Sequence, residues 1–209
     1  RFRASRHPVA DYTGVTSHTS TYSEVGVAVV EAVLLIGFAI PLWAARVDER
    51  PPESEALVVQ VTGEQFAWNM HYPGPDGVFG PTDINMIDLQ TNPLGLDCSD
   101  PAAMDDVTTV NQLYLPVDRP IIVMLRTKDV IHSFGVPELR VKQDAIPGMM
   151  IPVHFRAVMT TPPDARYPEC AANKTCWEIA CAQLCGITHY QMRGWYQIMT
   201  QPDFDAWMA

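Results

Sequence analysis

Positive charge is scarce in this sequence. Lys and Arg together number 14 among 209 residues, against 24 Asp and Glu, so the formal net charge is -10. Nucleic-acid-binding surfaces need clustered basic residues, and this balance argues against DNA or RNA as a partner. The sequence also has no internal repeat and no glycine-rich phosphate-binding loop, which argues against a repeat architecture or a P-loop enzyme.

Cysteine is also sparse, with five residues in the chain. Two of them, Cys181 and Cys185, lie in the segment CAQLCGITHYQM together with His189 and Met192. Two thiolates, an imidazole and a thioether form a soft ligand set that suits a copper electron-transfer site. Zinc disfavours thioether sulfur and has no redox chemistry. The alternatives are two buried free thiols, or a Cys181–Cys185 disulfide that leaves the His and the Met without a role.

The other three cysteines give a weaker signal. Cys170 and Cys176 lie in the short segment PECAANKTC. They form a small-loop disulfide if the compartment is oxidising, or remain free thiols. Cys98 is then unpaired, and we assign it no role.

A single long apolar run near the start predicts a membrane span. The run from Val25 to Ala45 has the length that a helix needs to cross a bilayer. We therefore expect a polar arm over residues 1–20 and a transmembrane helix over residues 21–47. A buried core helix is one alternative. An uncleaved signal sequence is another, although a signal core is shorter and ends in a small-residue cleavage site.

Charged residues around the run predict its orientation. Arg1, Arg3 and Arg6 precede it and indicate a cytoplasmic start, so the remainder of the chain is expected on the outer side. Glu31 lies inside the run, where an ionisable side chain is costly and is expected to face protein rather than lipid. It is either a functional group or a protonated residue packed against a neighbouring subunit.

Residues 48–209 have a different pattern, which predicts a mainly β domain. Runs rich in β-branched and aromatic residues, such as ALVVQVTGEQFAWNMHY and NQLYLPVDRPIIVMLRT, alternate with turn clusters such as PGPDGVFG. Several short strands with frequent turns are typical of an antiparallel sandwich or barrel. Residues 88–106 are acidic and polar, and we expect them to form a surface insertion.

Five segments occur in the order found in one family. They are the span ending at Pro41, GEQFAWNMHYPGPDG, KDVIHSFGVPELRVKQDAIPGM, the loop CAQLCGITHYQM and the closing FDAWM. From Glu24 to Met208 the chain resembles subunit II of haem-copper cytochrome c oxidases. The resemblance implies a transmembrane helix followed by a cupredoxin-type Greek-key β-sandwich that carries a dinuclear copper centre, CuA.

The resemblance also implies the ligand set. The implied ligands are His132, Cys181, the backbone carbonyl of Gln183, Cys185, His189 and Met192. His132 could not be selected from its surroundings alone, because a single His beside an apolar run is more often a core residue with hydrogen-bond partners.

The function implied is electron transfer rather than acid–base or nucleophilic catalysis. Such a subunit takes single electrons from a c-type cytochrome and passes them to haem in subunit I. Oxygen is reduced to water there, coupled to proton translocation. The expected location is the bacterial plasma membrane, with the copper domain on the periplasmic side. Phe66 and Trp68 are candidates for the residues at which electrons arrive, and Glu24 is a candidate for a proton path into subunit I.

Three departures from the family pattern affect these expectations. Gln183 replaces the usual Glu, whose carboxylate helps to bind Mg²⁺ or Mn²⁺ at the contact with subunit I, so that second metal site loses its charge. Phe66 stands where many members have Trp. Lys128 occupies a position that is often acidic in the docking patch, although Asp129 keeps its charge. We therefore expect a donor that binds differently from mitochondrial cytochrome c, such as a cytochrome domain of a partner complex.

Members of the family often have two membrane spans, and the Arg-rich start suits a chain whose first span is missing. Two other functions use similar ligands. One is a membrane-anchored copper-delivery or storage protein, which needs exchangeable and exposed ligands. The other is the CuA domain of a denitrification reductase, which carries a second cluster domain. A quinol-oxidase subunit would lack the two thiolates.

Overall fold

The computed structural model describes residues 3–6, 8–9, 12–14, 17–166, 168 and 177–209. These residues fall into two units, Arg1–Glu49 and Arg50–Ala209. The proposed disulfide between Cys170 and Cys176 lies outside the described residues.

The first unit contains a continuous apolar helix. This helix consists of α1 (Thr19–Leu34), a π-helical turn (Leu35–Ala39) and α2 (Ile40–Val47). The stretch has 29 residues, and its most apolar 18-residue window has a mean hydropathy of 2.4. A helix of this length extends about 43 Å at 1.5 Å per residue, more than the roughly 30 Å of bilayer hydrocarbon. None of its side chains is buried within the unit, so its apolar surface is available to lipid or to another protein.

In the second unit, the described residues form ten strands. They are β1 (Leu57–Glu64), β2 (Ala67–Tyr72), β3 (Val107–Val110), β4 (Gln112–Pro116), β5 (Pro120–Thr127), β6 (His132–Val136), β7 (Val141–Ala145), β8 (Ile151–Arg156), β9 (Glu178–Cys181) and β10 (Arg193–Met199). One sheet has the order β3-β2-β1-β5-β8 and the other β4-β10-β9-β6-β7. The expectation of a cupredoxin-type β-sandwich is confirmed.

The sheets are mixed rather than wholly antiparallel. β1 pairs with β5 in parallel, as β4 does with β10, whereas the other pairs are antiparallel. The run NQLYLPVDRPIIVMLRT forms β4 and β5, and these successive strands lie in different sheets. A connection that crosses from one sheet to the other places strands distant in sequence side by side, and parallel pairs result.

The core lies between the two sheets. The inward positions of β1, β2 and β5 face those of β6, β9 and β10. The fully buried large side chains are Trp68, Met70, Tyr72, Leu113, Leu115, Ile121, Leu125, Phe134, Ile179, Met192, Tyr196 and Ile198. A short helix, α3 (Gln201–Met208), is capped by the Thr200 side chain and packs Phe204 and Trp207 against Tyr72.

A long connection, residues 73–106, joins β2 to β3. It contains two short 3-10 turns, Ile84–Met86 and Pro101–Ala103, and most of its side chains are exposed. Asp106, at the end of this connection, contacts β2 through its carboxylate. Its Oδ2 lies 2.6 Å from His71 Nε2 and also accepts a hydrogen bond from the Gly80 N–H at 2.7 Å. The segment 88–106 is the second half of this connection.

Candidate metal centre

One end of the sandwich gathers residues that are far apart in sequence. His132 opens β6, and Cys181 closes β9. These two strands pair with Phe134 opposite Cys181, and the Ala182 N–H donates to the Ser133 carbonyl at 2.9 Å. The pairing of the strands therefore brings His132 beside Cys181, although 49 positions separate them.

The segment from Cys181 to Met192 closes on itself. The Cys181 N–H donates to the Met192 carbonyl at 3.2 Å, and the His189 N–H donates to the Gly186 carbonyl at 3.2 Å. A 3-10 turn, His189–Gln191, leads back into β10. As a result, the two sulfur-bearing ends of the loop are adjacent and its donor atoms point inward.

The two thiols lie at the middle of a cluster of donor atoms. Cys181 Sγ is 3.8 Å from Cys185 Sγ. Cys181 Sγ also lies 3.8 Å from His132 Nδ1 and 3.2 Å from the Gln183 carbonyl oxygen. Cys185 Sγ lies 3.5 Å from His189 Nδ1 and 3.7 Å from Met192 Sδ. Each sulfur is thus flanked by one imidazole and one weaker donor.

Burial separates this cluster from solvent. His132 is 0% exposed, Met192 1%, Cys185 4% and Cys181 9%. His189 is partly exposed, and the Gln183 side chain points outward. His132 and the two cysteines place their ligand atoms within 4.8 Å of one another, close enough to hold a metal ion.

If both thiols are ionised, their negative charges favour a bound cation. Burial opposes ionisation of Cys181, but its hydrogen bonds, led by the one to His132, outweigh burial and lower its pKa. Burial and the negative charge on Cys181 raise the pKa of Cys185. Two thiolates at this separation therefore need compensating positive charge. Copper fits this set, because sulfur donors suit its monovalent form and imidazole suits copper in general.

Asp129 orients His132. Asp129 Oδ1 lies 2.8 Å from His132 Nε2, which leaves Nδ1 facing Cys181. Partial burial opposes ionisation of Asp129, but hydrogen bonds from His132 and from the N–H groups of Gln65 and Val130 outweigh it and lower its pKa. A carboxylate on the far nitrogen fixes the tautomer and the ring plane of a ligand histidine. Asp129 therefore has a second role beside the one expected in a docking patch, and the sequence signal for it is its position three residues before His132.

Two aromatic side chains lie next to the cluster. Trp68 is fully buried and packs edge-on against His132 at 6.0 Å and Phe134 at 5.6 Å between ring centroids. Phe66 is partly exposed and lies against the segment from Cys181 to Met192, which we call the metal loop. The closeness is shown at Gly186, where an added Cβ would be 3.0 Å from Phe66 Cζ. Phe66 therefore connects the loop to the surface, whereas Trp68 contacts the site from inside the core.

Other residues singled out in the sequence lie outside this cluster. Glu24 and Glu31 belong to the helical unit. Cys98 is an exposed free thiol in the 73–106 connection. Lys128 forms an ion pair with Glu64 at 2.5 Å and donates to the Pro93 carbonyl, so its charge is partly compensated within the domain.

Comparison with known families identifies this domain. Residues 57–197 match the family described as cytochrome c oxidase subunit II, periplasmic domain. The chain belongs to this subunit II family. The match includes the strands and loop that supply the clustered donors, and membership of the family implies copper. The periplasmic-domain family and the apolar N-terminal helix together indicate a membrane-anchored protein with its β-domain on the periplasmic side.

Individual subunit II proteins show the extent of the similarity. The chain is 36% identical over 156 residues to the alternative cytochrome c oxidase subunit 2 of Bradyrhizobium diazoefficiens, which covers 74% of this chain and 51% of that protein. It is 30% identical over 211 residues to the probable cytochrome c oxidase subunit 2 of Rickettsia felis, covering 100% of this chain and 58% of that protein. The chain thus spans about half the length of these curated relatives.

A solved structure is also similar. The crystal structure of the periplasmic domain of subunit II of cytochrome oxidase from Bradyrhizobium japonicum matches with 28% identity and a TM-score of 0.47. The match covers 73% of this chain and 90% of that one.

Proposed function

We propose that this chain is the electron-accepting subunit of a membrane haem-copper terminal oxidase. Single electrons from a c-type cytochrome would arrive at the clustered donors and leave for haem in subunit I, where oxygen is reduced to water with proton translocation. The observation that carries this proposal is the pair of sulfurs 3.8 Å apart, each with its own imidazole. The proposed partners are subunit I, the other oxidase subunits and the lipid of the bacterial plasma membrane.

The proposed ligand set has six members. They are His132, Cys181, the Gln183 carbonyl, Cys185, His189 and Met192. A dinuclear copper centre, CuA, supplies reversible one-electron oxidation and reduction when bound to such a set. The protein would contribute a fixed frame, because His132 and Cys181 stand on paired strands and the remaining donors lie in a loop closed by its own hydrogen bonds. A frame of this kind keeps the donor atoms in place when the charge of the metal changes.

Electron arrival is proposed at Phe66. It is the partly exposed aromatic residue against the metal loop, and Trp68 lies behind it in contact with His132. Lys128 carries a positive charge beside Glu64 in the same region. This charge weakens an acidic docking patch, which supports a donor that differs from mitochondrial cytochrome c.

The remaining proposals concern subunit I. Glu24, in the second turn of α1, is proposed at the mouth of a proton path into that subunit. Gln183 presents a neutral, exposed amide where a carboxylate would favour a hard cation, so we propose that a Mg²⁺ or Mn²⁺ site at this contact is weak in this chain.

Electron transfer can be separated experimentally from copper delivery. The copper-loaded full chain in detergent is mixed with a reduced c-type cytochrome, and the optical spectra of both proteins are followed by stopped flow. We expect one electron to be taken up per copper pair, with all copper retained after gel filtration. Loss of copper to a chelating acceptor without oxidation of the cytochrome would support the delivery function instead. Complete burial of His132 argues for the first outcome.

A further inference from the structure

Gln65, in the turn between β1 and β2, forms hydrogen bonds with residues on both sides of the metal centre. Its backbone N–H donates to Asp129 Oδ2 at 2.7 Å, and Asp129 in turn holds His132. Its side-chain Nε2 donates to the Cys185 carbonyl at 2.5 Å. Gln65 thus connects His132 on β6 with Cys185, which lies 120 positions after Gln65 in the chain.

The contact between this turn and the metal loop leaves no room for a side chain at Gly186. Gly186 has φ +145°, a conformation that residues with a Cβ rarely adopt. A Cβ built there would lie 2.7 Å from Gln65 Nε2 and 3.0 Å from Phe66 Cζ. The loop backbone therefore approaches the turn as closely as only glycine permits, and the Gln65 amide occupies the gap.

The position of Cys185 affects three neighbouring donor atoms. Its Sγ lies within 3.8 Å of Cys181 Sγ, His189 Nδ1 and Met192 Sδ. Its carbonyl lies at the point where the loop turns at Gly186. A hydrogen bond that fixes this carbonyl also restricts the rotation that would move Sγ relative to those three atoms.

We propose that Gln65 is a positioning residue of the metal centre, holding Cys185 through its side chain and His132 through Asp129. The proposal rests on the proposed function, because it concerns the geometry of the copper site. Gln65 is exposed apart from this contact, so its amide is not required for the β-sandwich core. Its side chain can therefore position the loop without contributing to that core.

The test compares matched substitutions in the full chain in detergent. Gln65→Met keeps the length of the side chain and removes its donor. Gln65→Lys replaces the amide with another donor. Gln191→Met is the control, because Gln191 lies in the same loop but donates to Tyr190 Oη and not to the backbone of a ligand. Each protein is loaded with copper, its electron-spin spectrum is recorded, and copper release to an excess of chelator is timed.

A carbonyl that loses its hydrogen-bond donor inside the protein is destabilised, and a tenfold change in an equilibrium constant corresponds to about 1.4 kcal/mol, a size expected for one such bond. We expect Gln65→Met to release copper about tenfold faster and to show unequal coupling of the electron spin to the two coppers. Gln65→Lys should lie closer to the wild type, and Gln191→Met should match it. The copper-free chain should stay folded in all three variants at the temperature of the release assay, so that faster copper release does not reflect loss of the fold.

Two results would overturn the proposal. The first is a Gln65→Met protein with the spin spectrum and release rate of the wild type. The second is an equal change in Gln65→Met and Gln191→Met, which would show that any substitution near the loop has this effect. Failure of the wild-type chain itself to bind two coppers would instead overturn the proposed function, so the two failures are distinguishable.

Discussion

At the scale of single residues, the site depends on donor atoms that are individually ordinary. Cys181 and Cys185 would repel each other as two thiolates, and burial makes this repulsion stronger. Together with His132 and His189 they form a set whose negative charge needs a cation. Asp129 then provides the orientation that a ligand histidine requires. Metal binding therefore depends on these side chains together and not on any one of them.

Replacement of Cys185 by Ser tests this combination. Ser keeps the shape of the side chain but removes the soft sulfur that lies between Cys181, His189 and Met192. We expect Cys185→Ser to abolish the spin signal shared by two coppers, measured by electron paramagnetic resonance on the copper-loaded chain. Cys98→Ser, at an exposed free thiol, should leave the signal intact. An unchanged shared signal in Cys185→Ser would refute the bridging role.

At the scale of elements, the loop ligands were predictable from the sequence because they occupy twelve consecutive residues with soft donors at short spacing. His132 was accessible only through family resemblance, since its partner Cys181 is reached by the pairing of β6 with β9. Gln65 could not be found as a loop contact, because its bond to Cys185 depends on how a hairpin turn meets a distant loop. The mixed sheets were missed for a similar reason, as strand order is set by connections between sheets.

The His71–Asp106 pair gives a pH-dependent prediction for the 73–106 connection. Burial lowers the pKa of His71, with a smaller contribution from Arg126, and outweighs the opposing effect of Asp106. The unfolded chain therefore binds a proton on His71 more readily than the folded chain does, so the free energy of unfolding falls as pH drops below about 6.5. Stability from this group is complete above that pH.

Hydrogen exchange can detect this effect locally. Below pH 6.5, we expect the amides of residues 73–106 to lose protection after correction for the intrinsic exchange rate. His71→Gln should remove most of the pH dependence. His154→Gln is the control, because burial also lowers the pKa of His154, but this residue lies on β8. Equal protection at pH 5 and pH 7 in the wild type would contradict the prediction.

At the scale of the whole molecule, the chain combines an apolar helix of 29 residues with a β-domain that belongs to the periplasmic subunit II family. The apolar run and the β-rich pattern were both evident from residue periodicity and length. The proposed function depends on the β-domain, where strands and loops distant in sequence bring two thiols, two imidazoles and a thioether together. Every proposed role outside that site assumes that this cluster is a dinuclear copper centre.

Metal content measured together with the spin spectrum tests this assumption most directly. The full chain is loaded with copper, freed of excess metal, and analysed for metal per chain and for unpaired spins per metal. The account predicts two coppers per chain and one unpaired electron per pair, coupled equally to both nuclei. One copper per chain with an isolated-ion spectrum, or a preference for zinc, would contradict it.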